Sequence, residues 1–273
     1  MEITYFSILL FVVTTIAYYI FPFFGKIPLT LEILKNENNS INDYYLSNLT
    51  RLAIYFGAIV MSQYILNAVF IVNNCGGVTV SNFGNAFLIT FMPWIFIFGI
   101  MIVILTIFPG FKSAFSDIIG YFIVAKSAND ELSKILVDKD VENVLSNLSS
   151  TSETDKLRKS AESIMKFYSN KAILINQIVP ENFIETWDTL QPLMKPGMYE
   201  NMNEKSKLLD IVVMRDNIGE ACWFLYTAIL IISFVSYKIS SHGCEKNIWD
   251  IEAESKKRQS EYNKQLEKEE TKK

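Results

Sequence analysis

The sequence predicts an all-α, multi-pass membrane protein with about four transmembrane helices and a small helical bundle between the third and the fourth. Half of the 273 residues are hydrophobic. They are concentrated in a few long blocks, and four of these blocks contain no Asp, Glu, Lys or Arg. Because a bilayer core about 30 Å thick needs roughly 20 apolar residues in a helix, blocks of this length indicate transmembrane segments.

The predicted transmembrane helices cover residues 3–24, 52–72, 86–108 and 221–237. Residues 1–108 are therefore expected to hold three helices joined by short loops, and residues 220–238 to hold the fourth. The first block lacks the basic start and the small-residue cleavage site of a signal peptide, so we expect it to be retained.

The membrane orientation is indicated by the basic residues near the predicted helix ends. With four crossings, Lys26, Lys35 and Arg51 share one side with the long polar region, and the positive-inside rule then places that side in the cytoplasm. The basic residues of the C-terminal tail favour the opposite orientation, so the two signals disagree.

The four blocks lack the ionisable residues that proton relays, ion-coupled transporters and voltage sensors keep at membrane depth. The second block does carry Gln63 and Asn67, together with small residues at Gly57 and Ser62. One interpretation is a face that lines a pathway. The other, which we favour, is a helix contact in which small residues permit close approach and amides hydrogen-bond between helices.

Three polar regions complete the predicted organisation. Residues 109–126 mix aromatic residues with lysine, which predicts either an amphipathic interfacial segment or a helix that packs on the polar region. Residues 127–219 predict a polar helical bundle, with helix starts at Ser127 and near residue 150 and a last helix that begins near Met198 and continues into the fourth span. Residues 239–273 form a charged tail, expected to be solvated.

No catalytic, cofactor-binding or metal-binding residues are predicted. His242 and Cys244 lie close together, but a zinc site needs three or four converging ligands. Cys75 and Cys244 are expected on the same side of the membrane, so a disulfide between them is an open alternative. The net charge of −4 predicts no nucleic-acid partner.

Three stretches carry a resemblance to a known group of proteins. They are Asn74-Cys-Gly-Gly with Phe91-Met-Pro-Trp94, Phe108-Pro-Gly-Phe-Lys-Ser-Ala-Phe-Ser-Asp-Ile-Ile-Gly-Tyr121, and Arg215-Asp-Asn-Ile-Gly-Glu-Ala-Cys-Trp223. Together they resemble the multi-pass membrane proteins of large icosahedral DNA viruses of algae and protists, over residues 74–237. The resemblance implies a protein of the virion's internal membrane, located in host endomembranes during assembly, that joins the bilayer to minor capsid proteins.

Three functional hypotheses follow. The first is a structural virion protein, not an enzyme, whose partners are the lipid bilayer, minor capsid or other virion proteins and a second copy of the chain. The second is a channel or transporter subunit with Gln63 and Asn67 on a pathway. The third is a cellular membrane adaptor that recruits soluble partners.

Overall fold

The computed structural model describes residues 2–21, 25–35, 40–75, 80–137, 171–241, 252 and 255–261. All regular secondary structure in these residues is helical, apart from one isolated antiparallel β-bridge between Leu136 and Met194. The α-helices are α1 (Glu2–Ile20), α2 (Leu31–Lys35), α3 (Ser40–Cys75), α4 (Val80–Pro93), α5 (Ile100–Ile107), α6 (Ser113–Phe115), α7 (Tyr121–Ile135), α8 (Phe183–Leu190) and α9 (Met202–Ser240). Turns of 3₁₀-helix cover Pro109–Lys112, Lys171–Gln177, Pro180–Asn182 and Gln191–Leu193.

Three of the helical stretches are long and apolar enough to cross a membrane. They are Leu46–Asn73 within α3, Phe83–Ile107 across α4 and α5, and Met202–Ser240, which is α9. The apolar helix Thr4–Ile20 within α1 is shorter. The predicted all-helical fold is thus confirmed for the described residues, three of whose helical stretches have the length and composition of transmembrane helices.

The helix that includes α4 and α5 contains a π-helical turn, Trp94–Gly99, directly after Pro93. Proline lacks a backbone N–H and its ring clashes with the carbonyl one turn earlier, so the regular hydrogen-bond pattern cannot continue through it. The wider π turn lets the helix continue. It leaves Trp94 and Phe98 both buried.

The chain divides into two compact units. The first comprises Met1–Val13, Phe56–Gly99 and Ala228–Lys273, and the second comprises Thr14–Tyr55 and Ile100–Thr227. In the first unit, the ring of Phe11 packs against those of Trp94 and Phe98, with centroids 5.9 and 5.8 Å away. This aromatic contact fixes α1 against the π turn.

Gln63 and Asn67 are buried in the same unit and hydrogen-bond between helices. Gln63 Nε2 donates to the carbonyl of Ser7 at 3.0 Å, and Asn67 Nδ2 donates to Thr90 Oγ1 at 3.0 Å. The interpretation of these amides as packing contacts is confirmed.

We expect Asn67→Leu to lower the free energy of unfolding by about 0.6–2 kcal/mol, because it leaves the buried Thr90 hydroxyl without this donor. Denaturation in detergent micelles measures the change. Ser62→Ala is the control, since the Ser62 hydroxyl donates to the Ile59 carbonyl of its own helix. Equal stability of both variants, or an ion conductance abolished by Asn67→Leu, would contradict this packing role.

The second unit contains a continuous apolar core beneath the polar region. Its members come from α7, the Lys171–Gln177 turn, α8 and the first half of α9, and include Leu132, Ile135, Ile175, Trp187, Leu208, Leu209 and Val212. The chain leaves α7 in extended conformation at Leu136, where Val137 N donates to the Leu193 carbonyl and Lys195 N to the Ile135 carbonyl. We call the described part of this region, residues 127–137 and 171–219, the polar module.

Two predicted helix boundaries differ from the structure. The helix expected to start at Ser127 begins at Tyr121, so Ser127 lies inside α7. Ser127 and Asp130 are exposed there, where a helix tolerates polar side chains that elsewhere act as caps. Helix α7 ends at Ile135, and the helix start predicted near residue 150 lies outside the described residues. The last helix, predicted to begin near Met198, begins at Met202, and it continues into the fourth predicted span as expected.

Candidate functional site

Glu220 is the centre of a buried ion-pair network. Its Oε1 accepts hydrogen bonds from the Tyr19 hydroxyl and from Nζ of Lys26, both at 2.9 Å. Its Oε2 lies 3.0 Å from Nζ of Lys26 and 3.0 Å from Nζ of Lys112. Lys112 also donates to Oδ2 of Asp216 at 2.9 Å. Two lysines and two carboxylates therefore neutralise one another, and we call these four residues the ion-pair network.

The network depends on mutual charge compensation because its members are shielded from water. The side chains of Lys112, Asp216 and Glu220 are each close to nine-tenths buried. Burial by itself lowers the pKa of Lys112, but the carboxylates of Glu220 and Asp216 outweigh it and hold the pKa above its ordinary value. Lys112 is therefore a cation over the whole physiological pH range, and loss of either carboxylate leaves a charge without full compensation.

The network joins segments that are far apart in the chain. Lys26 follows α1, Lys112 ends the turn after α5, and Asp216 and Glu220 lie on α9. Residues four apart on a helix share one face, so the spacing of Asp216 and Glu220 directs both carboxylates to the same side of α9. One face of α9 is therefore connected to both other segments.

Two glycines permit the close contact that brings Lys112 to α9. A Cβ on Gly219 would lie 2.7 Å from the Ser116 Cβ and 2.9 Å from the Lys112 carbonyl oxygen. A Cβ on Gly120 would lie 2.7 Å from the Arg215 carbonyl oxygen. The π-helical turn Ser116–Gly120 buries both of its end residues in this contact. Backbone-to-backbone packing of this kind requires residues without a side chain.

Arg215, the residue directly before Asp216 on α9, makes a second connection. Its Nη1 donates to the carbonyl of Ile175 and to Oδ1 of Asn176, the latter at 3.3 Å, and lies 3.7 Å from Oδ1 of Asp117. Asn176 Nδ2 donates in turn to the Asp117 carbonyl at 3.2 Å. The guanidinium is thus fully buried between the Lys171–Gln177 turn of the polar module and the π-helical turn Ser116–Gly120.

The loop that carries Lys26 is held by the start of α3. Arg51 Nη1 donates to the Gly25 carbonyl at 2.9 Å, and the Ile27 N–H donates to Oδ1 of Asn48 at 2.8 Å. The Tyr44 hydroxyl donates to the Ile27 carbonyl at 3.3 Å. These bonds fix the backbone on both sides of Lys26. The lysine side chain is therefore held in reach of Glu220.

A cavity of about 610 Å³ lies beside the network. Its apolar wall includes Leu29, Leu46, Leu49, Leu52, Leu105 and Ile107, and its polar wall is the ion-pair network with Asn48, Tyr44 and Glu181. The volume is in the range of small-molecule sites. Because the four network charges cancel, this part of the wall presents no net charge that would select a ligand.

Glu131 in α7 and Glu204 in α9 form a second cluster, in the polar module. Lys134 lies 2.9 Å from Oε2 of Glu131, and Lys207 lies 2.8 Å from Oε1 of Glu204. The other oxygens, Oε1 of Glu131 and Oε2 of Glu204, are buried and have no amine or hydroxyl donor within the described ranges. Burial, and a hydrogen bond between the two carboxyl groups, raise the pKa of Glu131 above its ordinary value. A protonated Glu131 carboxyl that donates to Glu204 would satisfy both oxygens.

This arrangement predicts a pH-dependent contribution to stability. Because the pKa of Glu131 is higher in the folded state, its stabilising contribution is fully present below the unfolded-state pKa, near 4.5, and is lost as pH rises through the folded-state value. We expect Glu131→Gln to make the thermal midpoint less dependent on pH in this range and higher than that of the parent protein at pH 8. The exposed Glu185→Gln is the control. A pH profile of Glu131→Gln that parallels the parent profile would contradict a protonated Glu131.

The sequence predicted no site residue, and it did not reveal the ion-pair network. Its members lie just outside the predicted spans, where charged residues are common in membrane proteins. The available signal was the four-residue spacing of Asp216 and Glu220 directly before an uncharged block. The Phe108–Tyr121 and Arg215–Trp223 stretches, which carry part of the resemblance, contact each other in the structure. The 76–79 segment and the side chains of Cys75, His242 and Cys244 lie outside the described residues.

Metal chemistry has no support in the part of the chain that the structure describes, where no three His, Cys, Asp or Glu side chains are placed to hold an ion. Cys222 is a free thiol. Comparisons with known protein families, with curated proteins and with solved structures find no match for this chain, so a functional assignment depends on the geometry described above.

Proposed function

We propose that the protein is a structural membrane protein of a virion, anchored in the internal bilayer and connected through its polar module to minor capsid proteins. The observation that carries the proposal is the continuity of α9, whose 39 residues form one helix. Its first half supplies Leu208, Leu209 and Val212 to the core of the polar module, and its second half contains the uncharged apolar stretch 221–237. At about 1.5 Å per residue the helix is about 58 Å long, roughly twice the bilayer core.

A docking surface mounted on such a helix is fixed relative to the membrane before any partner arrives. The ion-pair network and the Arg215 contacts attach three further segments to the same helix. Binding to a preorganised surface loses less conformational entropy than binding to a mobile one. The module offers exposed polar residues for contact, among them Asp130, Lys134, Glu185, Asp188 and Lys207. The resemblance supplies the expectation that the partner belongs to the capsid.

We also propose four membrane crossings, in which α1 crosses in addition to the three longer apolar stretches. Support comes from its two faces. Ser7, Phe11 and Thr15 are buried, and the Thr15 hydroxyl forms a 2.8 Å hydrogen bond with that of Tyr55. The other side exposes a stripe at helical spacing, made of Tyr5, Phe6, Leu9, Val13, Ile16 and Ile20. An apolar stripe of this length matches a lipid-facing surface.

The number of crossings is tested with epitope tags placed ahead of Met1 and after Lys273. Four crossings put both tags on the same side of the membrane, so antibodies reach both or neither in sealed vesicles. Accessibility of only one tag would mean that α1 does not cross.

The virion assignment is tested by fractionating purified particles of the source virus. We expect the protein in the particles, resistant to extraction with alkaline carbonate and released by detergent, and retained with the membrane when the outer shell is removed. Absence from the particles, or release by carbonate alone, would contradict the proposal.

A further inference from the structure

The helical segment after α5 presents an apolar face that the described residues leave uncovered. Ile118, Ile119, Phe122 and Ile123 are exposed, with Phe122 83% and Ile118 69% accessible. Positions one, four and five residues apart lie on one side of a helix. The face belongs to the π-helical turn Ser116–Gly120 and the start of α7.

The opposite face of the segment is fixed to α9, so the apolar face cannot rotate inward. Ser116 and Gly120 are buried where the backbone meets Gly219 and Arg215 at the distances given above. Asp117 lies beside the same arginine. The apolar face is consequently a surface of the part of the chain that the structure describes.

Further contacts with α9 indicate the depth of this segment relative to a bilayer. The Phe115 ring lies 4.9 Å from that of Trp223, and Trp223 Nε1 donates to the Phe111 carbonyl at 2.8 Å. These residues are level with the start of the uncharged part of α9. Arg215 precedes Ala221 by six residues, or about 9 Å of helix. The stretch of α9 from Arg215 to Ala221 therefore has the depth of the polar-headgroup and upper acyl layer of a bilayer. Amphipathic helices insert into this layer by about 5–10 Å.

We infer that residues 109–123 lie in the membrane interface, with Ile118, Ile119, Phe122 and Ile123 inserted among the lipid chains. The occupant of this face is lipid, since the face continues the exposed apolar surface of Ile107 and Phe108, where the membrane-spanning helix ends. Trp223 and the half-exposed Tyr226 lie at the same level, as aromatic residues do at membrane interfaces.

The segment is therefore an additional membrane-embedded element. Together with α9 it fixes the height and tilt of the polar module above the bilayer, because one of its faces is held by protein and the other by lipid. A soluble partner consequently meets the polar module and not this segment. The inference does not depend on the identity of that partner.

Spin labels test the inference in the full-length protein. In a background with Cys75, Cys222 and Cys244 replaced by alanine, single cysteines replace Ile118, Phe122 or Asn129, and the labelled proteins are reconstituted in phosphatidylcholine vesicles. Asn129 is the control because it is exposed on α7 two turns beyond Phe122. Each variant must retain the unfolding midpoint of the background protein.

We expect collisions with oxygen to exceed those with a water-soluble nickel chelate at positions 118 and 122, and the reverse at 129. Chelate-dominated relaxation at 118 and 122 would overturn the inference, because the face would then be in water. Low accessibility to both reagents would also overturn it, since a second copy of the chain would then cover the face.

Discussion

Glu220→Leu is expected to lower the free energy of unfolding by about 3–5 kcal/mol, the usual cost of removing one partner from a buried ion pair. The substitution leaves Lys26 without its carboxylate and Lys112 with Asp216 alone. It also removes the acceptor of the Tyr19 hydroxyl. Unfolding by denaturant in detergent micelles measures the loss.

Two further variants separate charge compensation from a change in side-chain volume. Glu200→Leu, at an exposed position of the polar module, should change stability little. The double variant Lys26→Met with Glu220→Leu should be more stable than Glu220→Leu alone, because it also removes the lysine that has lost its carboxylate partner. If Glu220→Leu is no less stable than Glu200→Leu, the network does not hold these segments together.

Gly219→Ala is expected to cost about 1–3 kcal/mol, the range for overpacking a close contact. The added methyl group would overlap both Ser116 and the Lys112 backbone, neither of which is a flexible side-chain end. Gly120→Ala should behave similarly, because its new methyl group meets the Arg215 carbonyl oxygen. Both changes should also loosen the Lys112 contact with Asp216, so the polar module should become more sensitive to proteolysis.

Gly57→Ala provides a control with the opposite expected sign. Gly57 lies in α3 with no neighbouring atom within 4 Å of an added Cβ. Alanine is the better helix former, by roughly 0.5–1 kcal/mol, so this variant should be neutral or slightly more stable than the parent protein. A loss at Gly57 equal to that at Gly219 would show that helix backbone effects, and not the contact with Ser116, determine stability.

Much of the helical organisation could be predicted because it depends on local sequence. Uncharged blocks of about 20 residues indicate helices that can cross a membrane wherever they occur. The continuity of α9 was also predictable, since no proline or glycine pair interrupts the chain from Met202 to Ser240. The amides of Gln63 and Asn67 could be interpreted because a polar group in an apolar helix needs a hydrogen-bond partner.

The start of α7 and the ion-pair network could not be predicted, for a shared reason. The helix begins before Ser127 because tertiary contacts with α9 stabilise the π turn and the residues that follow, which outweighs the local capping signal. The pairing of Lys26 with Glu220 joins residues 194 positions apart. Each charge taken alone is an ordinary feature of the end of a membrane span, and only the three-dimensional contacts distinguish it.

We propose that the polar module, held on α9, connects the membrane to the capsid layer. Crosslinking of intact particles with an amine-reactive reagent tests it most directly, since Lys134 and Lys207 have side chains 57% and 46% exposed on the module. We expect crosslinks from these lysines to proteins of the capsid layer. Crosslinks confined to core or genome-associated proteins would contradict the account.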